Sequence, residues 1–599
     1  MGPTPFTIIP LDQDDVEGTS WGSYALLKGI IVQKSRQSPL APPHSHTIRK
    51  RSVNGMDEKQ KELPARDRDN SDLGAVLMVQ GTASDVGKSV IVTALCRIFA
   101  QDGHHPAPFK SQNMALNSYV TPDGREIGRA QGIQAEACGI AATTDMNPVL
   151  IKPTGDMHSQ IVVHGRPYQH LSASSYRENF LPQAKPLVME ALGRLRAKHG
   201  VIVMEGAGSP AEINLKQRDI VNMNLAGWAD APVILVGDID RGGVFAFLVG
   251  TLELLEPQER ARIKGFIINK FRGDLSLLQP GLDWLEERTG IPVLGVLPFL
   301  TDLEIEAEDS VVLDSYATGS EKAAGKELDI AVIRYPRISN FTDFDPLAAE
   351  TDVSLRYVSK LSELGHPDAV ILPGTKDTIG DLEYLRMQEL EEGVLDLLEG
   401  ETHVQLIGIC GGYQMLGEQL HDPEAVESGE PRSAMGLGLL PLSTTFLPGK
   451  KTVRVQGQTI AGQPVPLNPS DRPMSIEGYE IHSGSTRQLQ DIRPLFTLQA
   501  AAPEPEAAAA APHPEGAARS DGRVFGTYLH GLFHNDAWRR AWLDGLRESK
   551  GLEPLGVTYS SSSRKAEAFD RLAERVRSHL RMDLIYEIAG IRPKPNEAE

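Results

Sequence analysis

Short apolar runs of strand length recur along this chain, with helical stretches between them. Residues 75–79, 200–204, 232–236 and 265–268 form a first series, and 291–297 adds a late member. A second series comprises 328–333, 369–372 and 404–409. Successive strands can pair in parallel only if a crossover, usually a helix, packs back on the sheet. The pattern therefore predicts an α/β protein with two doubly wound domains and mostly parallel sheets. In such sheets ligands bind beyond the carboxyl ends of the strands. The most distinctive short sequences of this chain fall at those ends.

At roughly 100–200 residues per domain, a chain of 599 residues has room for three or four. Residues 1–73 lack periodicity, contain stretches such as Ala41-Pro42-Pro43-His44, and balance ten acidic against ten basic residues. They read as a disordered N-terminal extension. The first α/β domain is assigned to 74–314, a polar Gly-containing linker to 315–327, and the second α/β domain to 328–545. Within the latter, the Ala-, Pro- and Glu-rich stretch 500–520 reads as a low-complexity surface insertion. Residues 546–599 form a C-terminal helical segment whose stripe of Phe569, Leu572, Val576 and Leu580 has the spacing of a packing face.

The net charge of −20 and an aromatic content of 6% argue against a nucleic-acid coat. Three scattered cysteines cannot build a disulfide framework or a zinc cluster and suit a reducing compartment. With no apolar run of spanning length and no secretory signal, no membrane association is expected, and the expected location is the cytoplasm.

The first strand ends in Gly81-Thr82-Ala83-Ser84-Asp85-Val86-Gly87-Lys88-Ser89, followed by a helical run from Val90 to Ala100. Strand, glycine-bearing loop and helix make the setting of a phosphate-binding P-loop. There backbone N–H groups and the helix N-terminus face phosphate oxygens, Lys88 reaches the β/γ-phosphates, and the Ser89 hydroxyl ligates Mg²⁺. Five residues separate Gly81 from Gly87 where four are usual, and Thr82 stands where Gly is common. The strand 200–204 runs into Glu205-Gly206-Ala207-Gly208, which makes Glu205 a candidate Mg²⁺ partner. Asp238 and Asp240 end the next strand and suit catalysis, nucleotide contact or domain closure equally.

In the second series, Gly408-Ile409-Cys410-Gly411-Gly412 joins a strand directly to a helix. A sharp turn between small residues exposes a nucleophile, and a helix N-terminus stabilises a thiolate. Cys410 is the expected nucleophile, while Cys96 and Cys138 lie in helical patterns and read as packing residues. A thiolate needs a proton partner. His530 stands at the end of the strand-like run Val524-Phe525-Gly526-Thr527-Tyr528-Leu529 and is preferred; His482 is second on spacing alone.

The loop 81–89 together with Glu205-Gly206-Ala207-Gly208 resembles the dethiobiotin synthetase-like branch of P-loop enzymes, which activate a carboxylate by phosphorylation. That resemblance implies ATP and Mg²⁺ as cofactors and sets Lys110, in Phe109-Lys110-Ser111-Gln112-Asn113, against phosphate and carboxylate groups. The Cys410 turn resembles class I glutamine amidotransferases, which implies L-glutamine (or ammonia) as nitrogen source and a glutamyl thioester. Pro373-Gly374-Thr375-Lys376 resembles the loop that supplies an oxyanion-hole amide, so Gly374 and Gly411 become oxyanion candidates. Most of that class reads His-Pro-Glu, but this chain reads His530-Gly531-Leu532, so the carboxylate of a triad is missing. The pattern resembles the branch of cobyric acid and cobyrinic acid diamide synthases, which works with a Cys/His pair.

Longer strings narrow this further. Lys110-Ser111-Gln112-Asn113-Met114-Ala115-Leu116-Asn117-Ser118, Asp240-Arg241-Gly242-Gly243-Val244-Phe245 and Asn269-Lys270-Phe271-Arg272-Gly273-Asp274 are similar to the cobyric acid synthase family. The resemblance spans 75–590 apart from the Ala/Pro stretch. It implies ATP- and glutamine-dependent amidation of the b, d, e and g carboxylates of adenosylcobyrinic acid a,c-diamide, with the cobalt belonging to the corrinoid substrate. The alternatives are a cobyrinic acid a,c-diamide synthase and a regulatory nucleotide-binding module with a vestigial amidotransferase domain. Intact Lys88, Ser89, Glu205, Cys410 and His530 speak against the second alternative.

Overall fold

In the first domain Val293–Pro298, Ile263–Phe271, Val233–Asp238, Ala75–Gly81, Val201–Glu205 and Pro106–Phe109 lie side by side in that order as a six-stranded sheet. Every neighbouring pair is parallel. Ala75–Gly81 is buried beyond its first residue and Val201–Glu205 throughout, as expected for parallel strands covered by helices on both faces. The computed structural model describes residues 73–155, 158–300, 304–306, 313, 322–427, 429–462, 472–501 and 511–592. All of these lie in one compact unit, Asp69–Glu599. The extension assigned to 1–73, its last residue apart, and the part of the linker at 315–321 lie outside the described residues.

The second domain repeats the architecture. Val353–Val358, Leu328–Ile333, Ala369–Leu372, Gln405–Ile409 and Val524–Thr527 are parallel neighbours, and Ala517–Ala518 adds an antiparallel edge. Beside it stands a mixed sheet built on the long antiparallel pair Leu442–Thr459 and Ser475–Gln488. That pair carries Tyr479, Ile481 and His482 to the carboxyl ends of the parallel strands, where Tyr479 and His530 exchange backbone hydrogen bonds of 3.2 and 2.9 Å.

Two parts of the chain have functions its composition does not announce. Of the stretch read as an insertion at 500–520, residues 502–510 lie outside the described residues, and residues 513–518 are built into sheets. His513–Glu515 extends the mixed sheet, and Ala517 and Ala518 are buried at the edge of the nucleophile sheet. The C-terminal helices Ser561–Arg577 and Met582–Ala589 return to the first domain. Phe569, Leu572, Val576 and Leu580 share a core with Leu77, Val79, Ile91, Leu95 and Phe99. Arg577 pairs with Asp102 at 2.9 Å beyond the end of the P-loop helix Lys88–Gln101.

Candidate active sites

The P-loop lies at the carboxyl end of the central strand. Gly87 adopts φ 95°, and a Cβ there would lie 2.1 Å from the Asn269 amide nitrogen. Left-handed geometry and lack of space both require glycine. Asn269 donates to the carbonyl of Val86 at 2.8 Å, and Lys270 donates to the carbonyl of Asp85 at 2.6 Å and to Asp238 at 2.9 Å. Asp238 therefore buttresses the loop, whereas Asp240 pairs with Arg272 on the surface at 3.0 Å. The Thr82 amide is bonded to the carbonyl of Val236 at 2.9 Å. Gly81 is hemmed in by Val86, 2.4 Å from where a Cβ would sit.

Lys88 folds over the loop and donates to the carbonyls of Ala83 at 2.9 Å and Gly208 at 3.2 Å. Burial lowers its pKa to about 8, against the pull of Glu205. Glu205 is fully buried and gathers three partners. Oε1 accepts from Ser89 Oγ at 2.8 Å and Lys110 Nζ at 2.9 Å, and Oε2 accepts from Gln134 Nε2 at 2.7 Å. Burial alone would raise its pKa, but Lys110, Gln134 and Ser89 hold it below the usual carboxylate range. The structure thus brings Lys88, Ser89, Lys110 and Glu205 into one corner. Gln134 belongs to the same corner, and no local pattern in the sequence announces it. The Ser89 hydroxyl and the Glu205 carboxylate are hard oxygen donors of the type magnesium takes. Among the described residues no three His, Cys, Asp or Glu side chains gather into a metal cluster.

At the second site the chain turns from Gln405–Ile409 into the helix Gly411–Met415 with Cys410 at φ 53° and ψ −106°. This conformation is costly for a residue with a Cβ. Its glycines are set by packing: a Cβ on Gly412 would sit 1.9 Å from the carbonyl oxygen of Leu372, and one on Gly408 2.6 Å from that of Gly412. The Cys410 thiol points to the carbonyl of Ile481 at 3.7 Å. A Cβ on Gly374 would lie 3.1 Å from His530 Cε1, and one on Gly411 3.1 Å from the Thr375 amide nitrogen. Cys410, His530, Gly374 and Gly411 are therefore neighbours.

The expected absence of a third carboxylate does not hold. His530 Nδ1 bonds to Asp343 Oδ2 at 2.7 Å, and the Gly531 amide donates to Asp343 Oδ1 at 3.1 Å. Asp343 comes from the turn Phe341–Phe344, far from His530 in sequence. The carboxylate position two residues after His530 is taken by Leu532, which is buried in the core. Burial would lower the pKa of His530, but Asp343 and Cys410 raise it to about 10. Tyr479 stacks on the imidazole with ring centres 5.1 Å apart. His482 has a different setting. It stacks on Tyr528 at 3.8 Å, its Nδ1 meets the carbonyl of Gly484 at 2.8 Å, and burial lowers its pKa to about 4. Cys96 and Cys138 are buried in the first domain's core.

Comparison with known proteins gives two family matches. Residues 77–312 match the CobQ/CobB/MinD/ParA nucleotide binding domain, and residues 329–538 match the CobB/CobQ-like glutamine amidotransferase domain. The cobyric acid synthase of Geobacillus kaustophilus (strain HTA426) is 52% identical over 512 residues, covering 85% of this chain and 96% of that protein. That of Desulforamulus reducens is 52% identical over 519 residues, 87% of this chain and 99% of that protein. That of Dehalococcoides mccartyi (strain CBDB1) is 50% identical over 522 residues, 87% of this chain and 100% of that protein. With both domains matched in order and half the residues shared over nearly the whole length of these relatives, this chain belongs to the cobyric acid synthase family.

Proposed function

We propose that this amidoligase converts the b, d, e and g carboxylates of adenosylcobyrinic acid a,c-diamide to carboxamides, with one ATP and one glutamine for each. The γ-phosphoryl group passes to a carboxylate oxygen, giving an acyl phosphate and ADP. Ammonia then adds to the acyl carbon and phosphate leaves. Lys88 and the amides of the Gly81–Gly87 loop hold the β/γ-phosphates. Lys110 faces the transferred phosphate and the acceptor carboxylate. Ser89 and Glu205 would hold Mg²⁺, which supplies charge neutralisation on the phosphates when bound. Lys110 shares Glu205 Oε1 with Ser89, so it stands where it can exchange its carboxylate partner for the substrate's.

In the other half Cys410 attacks the glutamine carboxamide, and the amides of Gly374 and Gly411 stabilise the oxyanion. His530 transfers the proton to the departing ammonia and later activates water to release glutamate. Asp343 positions His530 through Nδ1 and stabilises its imidazolium, the part a carboxylate plays in other nucleophile–histidine triads. A reducing cytoplasm suits the free thiol. The observation that carries this reading is the presence in one chain of the Cys410–His530–Asp343 set and the Lys88–Ser89–Glu205 corner. Incubation with ATP, glutamine and adenosylcobyrinic acid a,c-diamide, read by mass, should give a product with four added amides; amidation of cobyrinic acid alone would overturn the assignment. Cys410→Ser should abolish glutamine-driven amidation and retain the ammonia-driven reaction.

A further inference from the structure

The two halves meet at the glutaminase histidine. In the ATP half, Ser118–Val120 pairs with Glu126–Gly128 as a small hairpin, and Gly128 starts the helix Arg129–Ala137 that carries Gln134 to Glu205. The same open end of this hairpin, where Ser118 pairs with Gly128, grips Asn340. The backbone N–H of Asn340 donates to Asn117 Oδ1 at 2.6 Å, and the backbone N–H of Ser118 donates to Asn340 Oδ1 at 3.0 Å. Asn117, Ser118 and Asn340 are all buried. The two-point clamp holds Asn340 at φ 54°, a left-handed conformation that asparagine tolerates better than most residues.

Held this way, Asn340 does two things. Its carbonyl accepts from the Asp343 amide at 3.0 Å and so starts the turn that carries the carboxylate on His530 Nδ1. Its side-chain Nδ2 lies 3.5 Å from His530 Nε2, the nitrogen not bonded to Asp343. Lys450 Nζ, from the glutaminase half, adds a bond of 2.7 Å to Glu126 of the hairpin.

We propose that Asn340 is a positioning residue for His530 whose orientation is imposed by Asn117 and Ser118, so that the glutaminase centre is complete only while the hairpin of the ATP half is seated on it. The proposal rests on the reading of Cys410 and His530 as thiol and proton partner. It gives the chain a means of hydrolysing glutamine only beside an intact carboxylate-activating site, which matters because free ammonia is lost to water.

Asn117→Ala in the full-length chain cuts the clamp from the ATP side. Its glutaminase kcat should fall about tenfold or more, since small misplacements of reacting groups cost that much. Its KM for glutamine and its ammonia-driven amidation should stay within about twofold of the parent, below the roughly fivefold or more of a coupling effect. Alkylation of Cys410 by iodoacetamide, followed by mass spectrometry across pH, should show a displaced profile. An unchanged kcat and alkylation profile would overturn the clamp. Where Asn117→Ala loses ammonia-driven amidation as well, Asn340→Asp decides. It keeps an oxygen for Ser118 but sets a carboxylate near His530, and the alkaline limb of glutaminase kcat/KM should move to higher pH; an unmoved limb overturns the proposal. Cys410→Ser separates the two claims. If it retains glutaminase activity, the thiol reading falls and the clamp with it. If it is inactive while Asn117→Ala behaves as the parent, only the clamp falls.

Discussion

His530 shows how much a residue's chemistry depends on neighbours the sequence does not announce. With its pKa raised to about 10 against burial, it stays an imidazolium beside Cys410 through the neutral range. The raised value lies above the 6.5 of an ordinary imidazole, so this pairing stabilises the folded chain fully below about pH 6.5, and the contribution is lost as pH climbs through about 10. Asp343→Asn removes the charge that holds the proton. Glutaminase kcat should drop about 100-fold, of the order that positioned acid–base catalysis contributes. The alkaline limb of its pH profile should move to lower pH while ammonia-driven amidation persists. A limb that stays in place would show that Asp343 does not set the imidazolium. Cys410 was legible because its signal is local: the glycines that permit the turn lie within two residues of it. Asp343 was not, because it reaches His530 from another strand's loop and Phe341-Thr342-Asp343-Phe344 matches no short pattern. The departure from His-Pro-Glu pointed to a missing carboxylate, and only the three-dimensional fold could supply its replacement.

At the scale of elements, Ala369–Leu372, wholly apolar, and Leu328–Ile333, apolar apart from Asp329, fall where the pattern put them. Val353–Val358 escaped because Ser354 and Arg356 break it into pieces of one or two apolar residues. That arginine is buried and bonds to Asp329 at 2.9 Å and to the carbonyl of Leu364 at 2.5 Å. The long pair Leu442–Thr459 and Ser475–Gln488 escaped because it is half exposed and mixes polar with apolar residues. The strand-to-helix turn at Cys410 allows a direct test of its packing. Gly412→Ala would drive a methyl group into the Leu372 carbonyl, 1.9 Å away. Overpacking of this kind costs about 1–3 kcal/mol. The variant should lose glutaminase activity and melt earlier than the parent; glutaminase activity at the parental level would show that the turn yields without moving the thiol.

In the whole molecule, the ATP half is completed by residues that come last in the chain. Phe569 is 3% exposed against the P-loop helix, and Phe569→Ala should cost about 3–5 kcal/mol. Thermal denaturation should show a lower Tm and ATP turnover should fall; a Tm equal to the parent's would mean that the C-terminal helices are dispensable to this core. The stripe at 569–580 was legible as a packing face, but not which domain it packs on, since amphipathic spacing specifies a buried side and not a partner. This return has a consequence for synthesis. Because the chain emerges amino end first, the sheet of the ATP half and its P-loop helix form early, yet the part of that core closed by Phe569, Leu572, Val576 and Leu580 stays open until the helices at 561–589 have been made. By then the whole glutaminase half has already left the ribosome. The ammonia source is thus fully synthesised before the ATP half gains its outer helices, and a chain broken off after residue 549 would carry every residue of the thiol site on a partner lacking them.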